Sequence, residues 1–199
     1  QCRSIDEVIS GLKGTIYYSP LESLRQKGQA VLPACETAVD MLYFKTVWKI
    51  KEKYLSGQEK KDLTQCFGTR MDMLNLQWIC RAKKYYHLPE GEIYAMIIPI
   101  SLHLKKTEIR AMAQAEDVEQ VYALIRNSWY GRLDLGNLEK GQSLEEPCRE
   151  VIDRIYELTS RKEPYSASVL NSYLYFKERE IEKIITTIER IRYGVAAGI

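Results

Sequence analysis

At 199 residues, with 45% hydrophobic and 28% charged side chains, the chain can bury one large core or two of about 100 residues each. It is too apolar for a disordered tail. A net charge of +2 lays no basic face over it, which argues against nucleic acid as a partner. Lys60-Lys61, Lys83-Lys84 and Lys105-Lys106 then read as solvated helix surface.

Ser4 is expected to cap a short helix carrying Ile5, Val8, Ile9 and Leu12 that ends near Gly14. Tyr17-Tyr18-Ser19-Pro20 reads as a bend, because proline disfavours helical geometry at Ser19. Pro33 starts a long helix with Val39, Leu42, Tyr43, Val47, Ile50 and Tyr54 on one side. Ser56 and Glu59 have the spacing of a capping box for the next helix. That helix carries Leu63, Phe67, Met71, Leu74, Trp78 and Ala82 and runs to about Tyr86. Pro89 opens a shorter piece, Pro99 stops it, and helix resumes from Lys105 to Gln114. Asp117 to Ile125 is again helical, Trp129-Tyr130-Gly131 bends, and Gly136 to Ser143 forms a polar loop. A helix from Pro147 to about Thr159 precedes a turn at Glu163-Pro164-Tyr165.

The last helix, Tyr173 to Gly194, bears Leu174, Ile181, Ile184, Ile185, Ile188 and Ile191 as an amphipathic stripe that continues back to Leu170. Lys177 interrupts that stripe, and Gly194 offers a left-handed stop. No stretch alternates with a period of two, so the expected class is all-α.

An internal period underlies these helices. Cys35, Asp40 and Tyr43 recur as Cys148, Asp153 and Tyr156, each 113 residues on. The same offset sets Val8 on Val121, Leu12 on Ile125 and Tyr17 on Tyr130. The long helices align at 105, with Leu76 on Ile181, Ile79 on Ile184, Asp72 on Lys177 and Asn75 on Glu180. Two tandem repeats follow, residues 1–114 and 115–199, with the eight-residue difference placed in the polar stretch from Ser56 to Leu63.

The charged and polar residues on the two long helices allow two readings. Arg70, Asp72, Asn75 and Arg81, and then Lys177, Glu178, Arg179 and Glu180, could form a polar network between helices or the rim of a cavity that receives a partner. They could equally be ordinary pairs within one helix, worth a few tenths of a kcal/mol. A buried Lys177 would require a partner. Asp40 and Asp153 are expected to serve helix packing or capping.

No phosphate loop, H-E-x-x-H, G-x-S-x-G or D-D-x-x-D occurs, so no catalytic residue is assigned. His87 and His103 stand sixteen apart with no ligand-spaced partner, so neither a metal nor a cofactor is expected. Five cysteines, odd in number and without a C-x-x-C pair, fit free thiols of a reducing compartment. The longest apolar run, Tyr94 to Leu104, is interrupted by Pro99 and is short of the roughly 20 residues a membrane span needs. No signal peptide is recognised.

Asp72-x-x-Asn75-Leu76-x-x-Ile79-x-Arg81 and Lys177-Glu178-x-Glu180-Ile181-x-x-Ile184 each lie on the long helix of a repeat. They resemble signatures of the C-subunit family of A/V-type rotary ATPases (ATP synthases), whose eukaryotic counterpart is called d. The resemblance covers essentially the whole chain. It departs in having room for two helical bundles where the family has three, and in Glu182-Lys183 where the family often has asparagine. The missing bundle, with the lack of an initiating methionine, suggests the C-terminal two-thirds of a funnel-shaped subunit.

The resemblance implies a non-catalytic central-stalk connector, peripheral on the cytoplasmic face of the membrane. Its implied partners are the central-shaft subunits and the membrane proteolipid ring, and its implied task is to couple ATP-linked rotation to proton or sodium transport. Asp72, Asn75, Leu76, Arg81, Lys177, Glu178, Glu180 and Ile181 would then be structural or partner-contact residues. A free-standing helical-repeat scaffold for protein interaction is the alternative.

Overall fold

The computed structural model describes residues 2–133, 135 and 143–194. The order is α1 (Ile5–Gly11), α2 (Tyr18–Gln26), α3 (Leu32–Tyr54), α4 (Gly57–Arg81), α5 (Glu90–Met96), α6 (Lys106–Gln114), α7 (Val118–Asn127), α8 (Glu145–Ser160) and α9 (Ala167–Arg192). A π-helical turn, Ala82–Tyr86, extends α4, and a 3₁₀ turn, Trp129–Arg132, follows α7. Among the described residues there is no strand. The fold is all-α.

Several boundaries follow from local chemistry. Ser4 accepts the amide of Glu7 at the start of α1, and Asp117 accepts that of Gln120 at the start of α7. Glu108 reaches back to the amide of Lys105 at 2.7 Å and so closes the first turn of α6. The π turn ends where His87 takes φ +49°, a left-handed stop at a non-glycine residue, and α9 ends beside Gly194 at φ +65°.

The bend expected at Tyr17 to Pro20 is instead the start of α2. Pro20 lies in the first turn, where the missing N–H has no intrahelical acceptor to lose. The capping box at Ser56 does not form: Ser56 precedes α4 without a side-chain bond, and Glu59 accepts the amide of Ala167, 2.9 Å away at the start of α9. The polar loop expected at 136–143 lies, up to residue 142, outside the described residues.

α4 is the spine. Its Cys66, Met73, Leu76 and Ile79 enter a core closed by α5, α6, α7 and α8, including Ile93, Met112, Val121, Ile125 and Val151. A smaller cluster of Phe44, Met71 and Ile98, flanked by Trp48, Phe67 and Trp78, joins α3 to the other side of α4. α3 does not present the expected face. Tyr43, Ile50 and Tyr54 are exposed, while Phe44 and Lys51 are buried.

Lys51 is tied from three directions. Its Nζ donates to Thr64 Oγ1 at 2.7 Å, pairs with Glu52 at 2.7 Å and lies 3.5 Å from the Trp48 ring centroid. Glu52 also pairs with Lys60 at 2.6 Å. Hydrogen bonds from Lys51 and then Lys60 pull the Glu52 carboxyl from its usual value of 4.5 down to about 2. The folded value lies below the unfolded one, so this contribution is complete above pH 4.5 and disappears as pH falls towards 2. Glu52→Gln should flatten the pH dependence of unfolding free energy across that interval, measured by urea denaturation. Equal slopes for variant and parent would reject the assignment.

Candidate functional site on the two long helices

The polar residues of α4 face a segment that has no helix of its own to satisfy it. Between α5 and α6 the chain runs irregularly through residues 97–105, and its backbone donors need partners once buried. Asp72 supplies them. Its Oδ2 accepts the amides of His103 at 2.8 Å and Leu104 at 3.2 Å, and both carboxylate oxygens lie 3.1 Å from the amide of Leu102. The Tyr130 hydroxyl donates to the same Oδ2 at 2.8 Å. A helix, a loop and the 3₁₀ turn after α7 thus share one carboxylate.

Asn75, one turn on, closes a two-bond clamp on Ile98. The Ile98 amide donates to its Oδ1 at 2.8 Å, and its Nδ2 donates to the Ile98 carbonyl at 3.1 Å. Gly68, one turn before Asp72, lets the loop come close: a Cβ there would sit 2.8 Å from Leu102 Cβ. Gly68, Asp72 and Asn75 therefore form one stripe of α4, spaced four and three apart. Burial pushes the Asp72 carboxyl above its ordinary range, against the N–H and O–H donors that favour its charged form. His103 stacks on Trp129 with centroids 3.6 Å apart, which seals the outer side of this knot.

The second set of residues behaves differently. Lys177 pairs with Glu180 at 2.6 Å on the surface of α9, an intrahelical pair three residues apart. Glu178 reaches across to Arg70 of α4 at 3.4 Å, and Arg179 pairs with Asp153 of α8 at 3.4 Å. Tyr175 donates to Asp153 at 2.6 Å, which gives that aspartate the packing role expected of it. Ile181 is 56% exposed. An open cleft of about 690 Å³ lies between α3, α4, α8 and α9, lined by Tyr43, Phe67, Arg70, Tyr156, Leu174 and Glu178.

Of the residues singled out in the sequence, Asp72, Asn75 and Leu76 are fully buried. Arg81 is exposed and pairs with Glu145 at the start of α8. Among the described residues the two sets meet through the Arg70–Glu178 pair. Sequence reasoning missed Gly68, the loop amides and Tyr130. A glycine in the middle of an otherwise strong helix was the available signal for the first. Among the described residues no group of three or more His, Cys, Asp and Glu could hold a metal ion, and no helix is long and apolar enough to cross a membrane.

The family described as "ATP synthase (C/AC39) subunit" has a sequence model that matches residues 1–198. The chain belongs to this family. Among curated proteins it is similar to the C subunit of the A-type ATP synthase of Pyrococcus horikoshii, 27% identical over 193 residues, covering 92% of this chain and 50% of the relative. The C subunit from Pyrococcus abyssi is 27% identical over 203 residues, covering 98% of this chain and 53% of the relative. That of Methanothermobacter thermautotrophicus is 24% identical over 189 residues, covering 91% and 49%. The chain spans about half the length of these relatives.

In this family member the Asp72 knot makes two checkable demands on stability. Asp72→Asn places an NH₂ group where donors already converge, and should cost about 2–3 kcal/mol of unfolding free energy in urea titrations. A loss below the error of the titration would mean the loop does not depend on the carboxylate. Gly68→Ala gains about 1 kcal/mol of helix propensity but crowds Leu102, for an expected net loss of about 1 kcal/mol. In a Leu102→Gly background the same change should become neutral or stabilising, a coupling that a double-mutant cycle reads directly.

Proposed function

We propose that this chain forms two helical repeats, residues 1–114 and 115–199, of the non-catalytic central-stalk connector of an A/V-type rotary ATPase. The observation that carries the reading is the family match over residues 1–198, together with relatives that are C subunits of A-type ATP synthases. In this role the chain joins the shaft subunits to the proteolipid ring on the cytoplasmic face and passes torque between ATP turnover and ion movement.

The physical character of the molecule supports such a role. A torque coupling needs stiff members and joints that do not slip. α3 and α4 are 23 and 25 residues long and share a packed cluster around Phe44 and Met71. The irregular segment 97–105 is pinned to α4 by Asp72 and Asn75. Interaction between subunits would draw on exposed aromatic and apolar residues such as Tyr43, Tyr54, Tyr85 and Tyr86.

Tagged chain expressed in its source cell should co-purify with catalytic, shaft and proteolipid subunits. Deleting its gene should abolish ATP-driven ion transport in membrane vesicles while ATP hydrolysis by the detached catalytic head persists. An intact, coupled motor isolated without the chain would sink the proposal. A partner unrelated to any ATPase would point to a free-standing scaffold instead.

A further inference from the structure

The segment that Asp72 and Asn75 hold against α4 also lines a pocket. Residues 97–101, with α5 and the start of α6, surround a volume of about 440 Å³. Buried Ile98 and Ile109 form its floor, and Tyr94, Ile97 and Pro99 its sides. The floor is fixed before anything binds, because Asn75 holds both the amide and the carbonyl of Ile98, at 2.8 and 3.1 Å. An apolar base of this size with a few polar groups converging on it is the usual form of a small-molecule site.

The polar groups at the mouth are all suited to one sign of charge. Lys106, Arg110 and the hydroxyls of Ser101 and Thr107 line it, and no carboxylate does. Among the described residues the Lys106 side chain has no ion pair or hydrogen bond, and Arg110 reaches only Glu90, at 4.0 Å. The same Glu90 oxygen already accepts from Gln114 at 3.1 Å. Both cations are unfavourable where they stand. They are four residues apart on one face of α6 and repel each other. Lys106 also opens the helix, at the positive end of its dipole. An anion at the mouth would relieve both at once.

We propose that this pocket binds one amphipathic anion, its carboxylate or phosphate head between Lys106 and Arg110 and its alkyl chain over Ile97, Ile98 and Ile109. Arginine meets such heads with two parallel donors and lysine as a point charge. Ser101 and Thr107 can donate to the remaining oxygens. An anionic bilayer surface suits the site less. Attraction to such a surface draws on clusters of roughly four to eight basic residues, whereas Glu90, Glu92 and Glu108 share α5 and α6 with the two cations. A bare anion would leave the apolar floor unused. The pocket's use is independent of the connector role proposed above.

The test is an NMR titration of the polypeptide as its own gene encodes it, with ¹³C-labelled isoleucine methyl groups. Laurate and dodecyl phosphate are the probes, each kept below its micelle-forming concentration. Saturable one-to-one shifts at the methyls of Ile97, Ile98 and Ile109 are expected, and the tighter probe identifies the head. Inorganic phosphate and uncharged dodecyl maltoside should produce no such shifts at the same concentrations. Lys106→Gln and Arg110→Gln should each weaken binding about tenfold or more. Each removes a repulsion, so the stability of the free protein in urea should hold or rise slightly. A clear loss of stability would mark these cations as structural and overturn the proposal. So would shifts confined to the exposed Ile181–Ile191 face, an equal response to the uncharged amphiphile, or affinity indifferent to both substitutions. Inorganic phosphate binding as tightly as dodecyl phosphate, or no binding of either probe, would overturn it as well.

Discussion

A buried carboxylate is expensive unless every lone pair it carries is used. Asp72 is fully buried, and three backbone amides and one phenol converge on it. Hydrogen bonds to a charged acceptor are worth about 1.5–3 kcal/mol each, so four of them return a large part, though not all, of what burial takes from this carboxylate. The dependence runs both ways. Without Asp72 the amides of Leu102, His103 and Leu104 would be buried and unpaired, and without that loop Asp72 would be a bare charge in an apolar core. The segment between α5 and α6 and the turn bearing Tyr130 are thereby tied to the same point of α4.

The opposite half of α4 is held by charge in a different manner. Lys51 enters from α3 and finds Thr64 and the Trp48 ring. Lys162, in the turn between α8 and α9, pairs with buried Asp62 at 2.8 Å. Glu59 accepts the first amide of α9 at Ala167. Farther along, Thr159 of α8 lies 3.1 Å from the Cys66 sulfur. Four neighbours are thus indexed by polar contacts within about two turns of one helix, from Glu59 to Cys66. Apolar packing would tolerate a slip of one turn between helices, and these contacts would not. Rigid register is what a mechanical joint requires.

The long helices are legible in the sequence because apolar spacing over twenty or more residues is a strong signal; α3, α4 and α9 stand where that spacing puts them, and the shorter α8 does too. Where sequence and structure part, the causes are local. Pro20 suggests a bend through its effect on Ser19, whereas its place in the first turn of α2 makes it harmless. Glu59 has the right spacing from Ser56 but is claimed by an amide 108 residues away, which no local rule can anticipate. On α3 the pattern favours Tyr43, Ile50 and Tyr54, yet the protein buries Phe44 and Lys51, since lysine can bury its stem only where its head is met. Asp72 and Asn75 stand out as a pair in the sequence, but their partners are backbone atoms, which leave no trace in a residue pattern.

α4 and α9 show how little an apolar stripe says by itself. Both carry isoleucine and leucine at helical spacing, and one is fully buried where the other is bare. The stripe states that a face is to be covered, and the polar residues beside it state by what. Gly68, Asp72 and Asn75 together select a segment that comes close to the helix, with free amides at two levels and a carbonyl beside them. Replacing any of the three changes which backbone can lie there. On α4, then, the fit of the covering segment resides in three positions out of twenty-five, each set one turn from the next along the face.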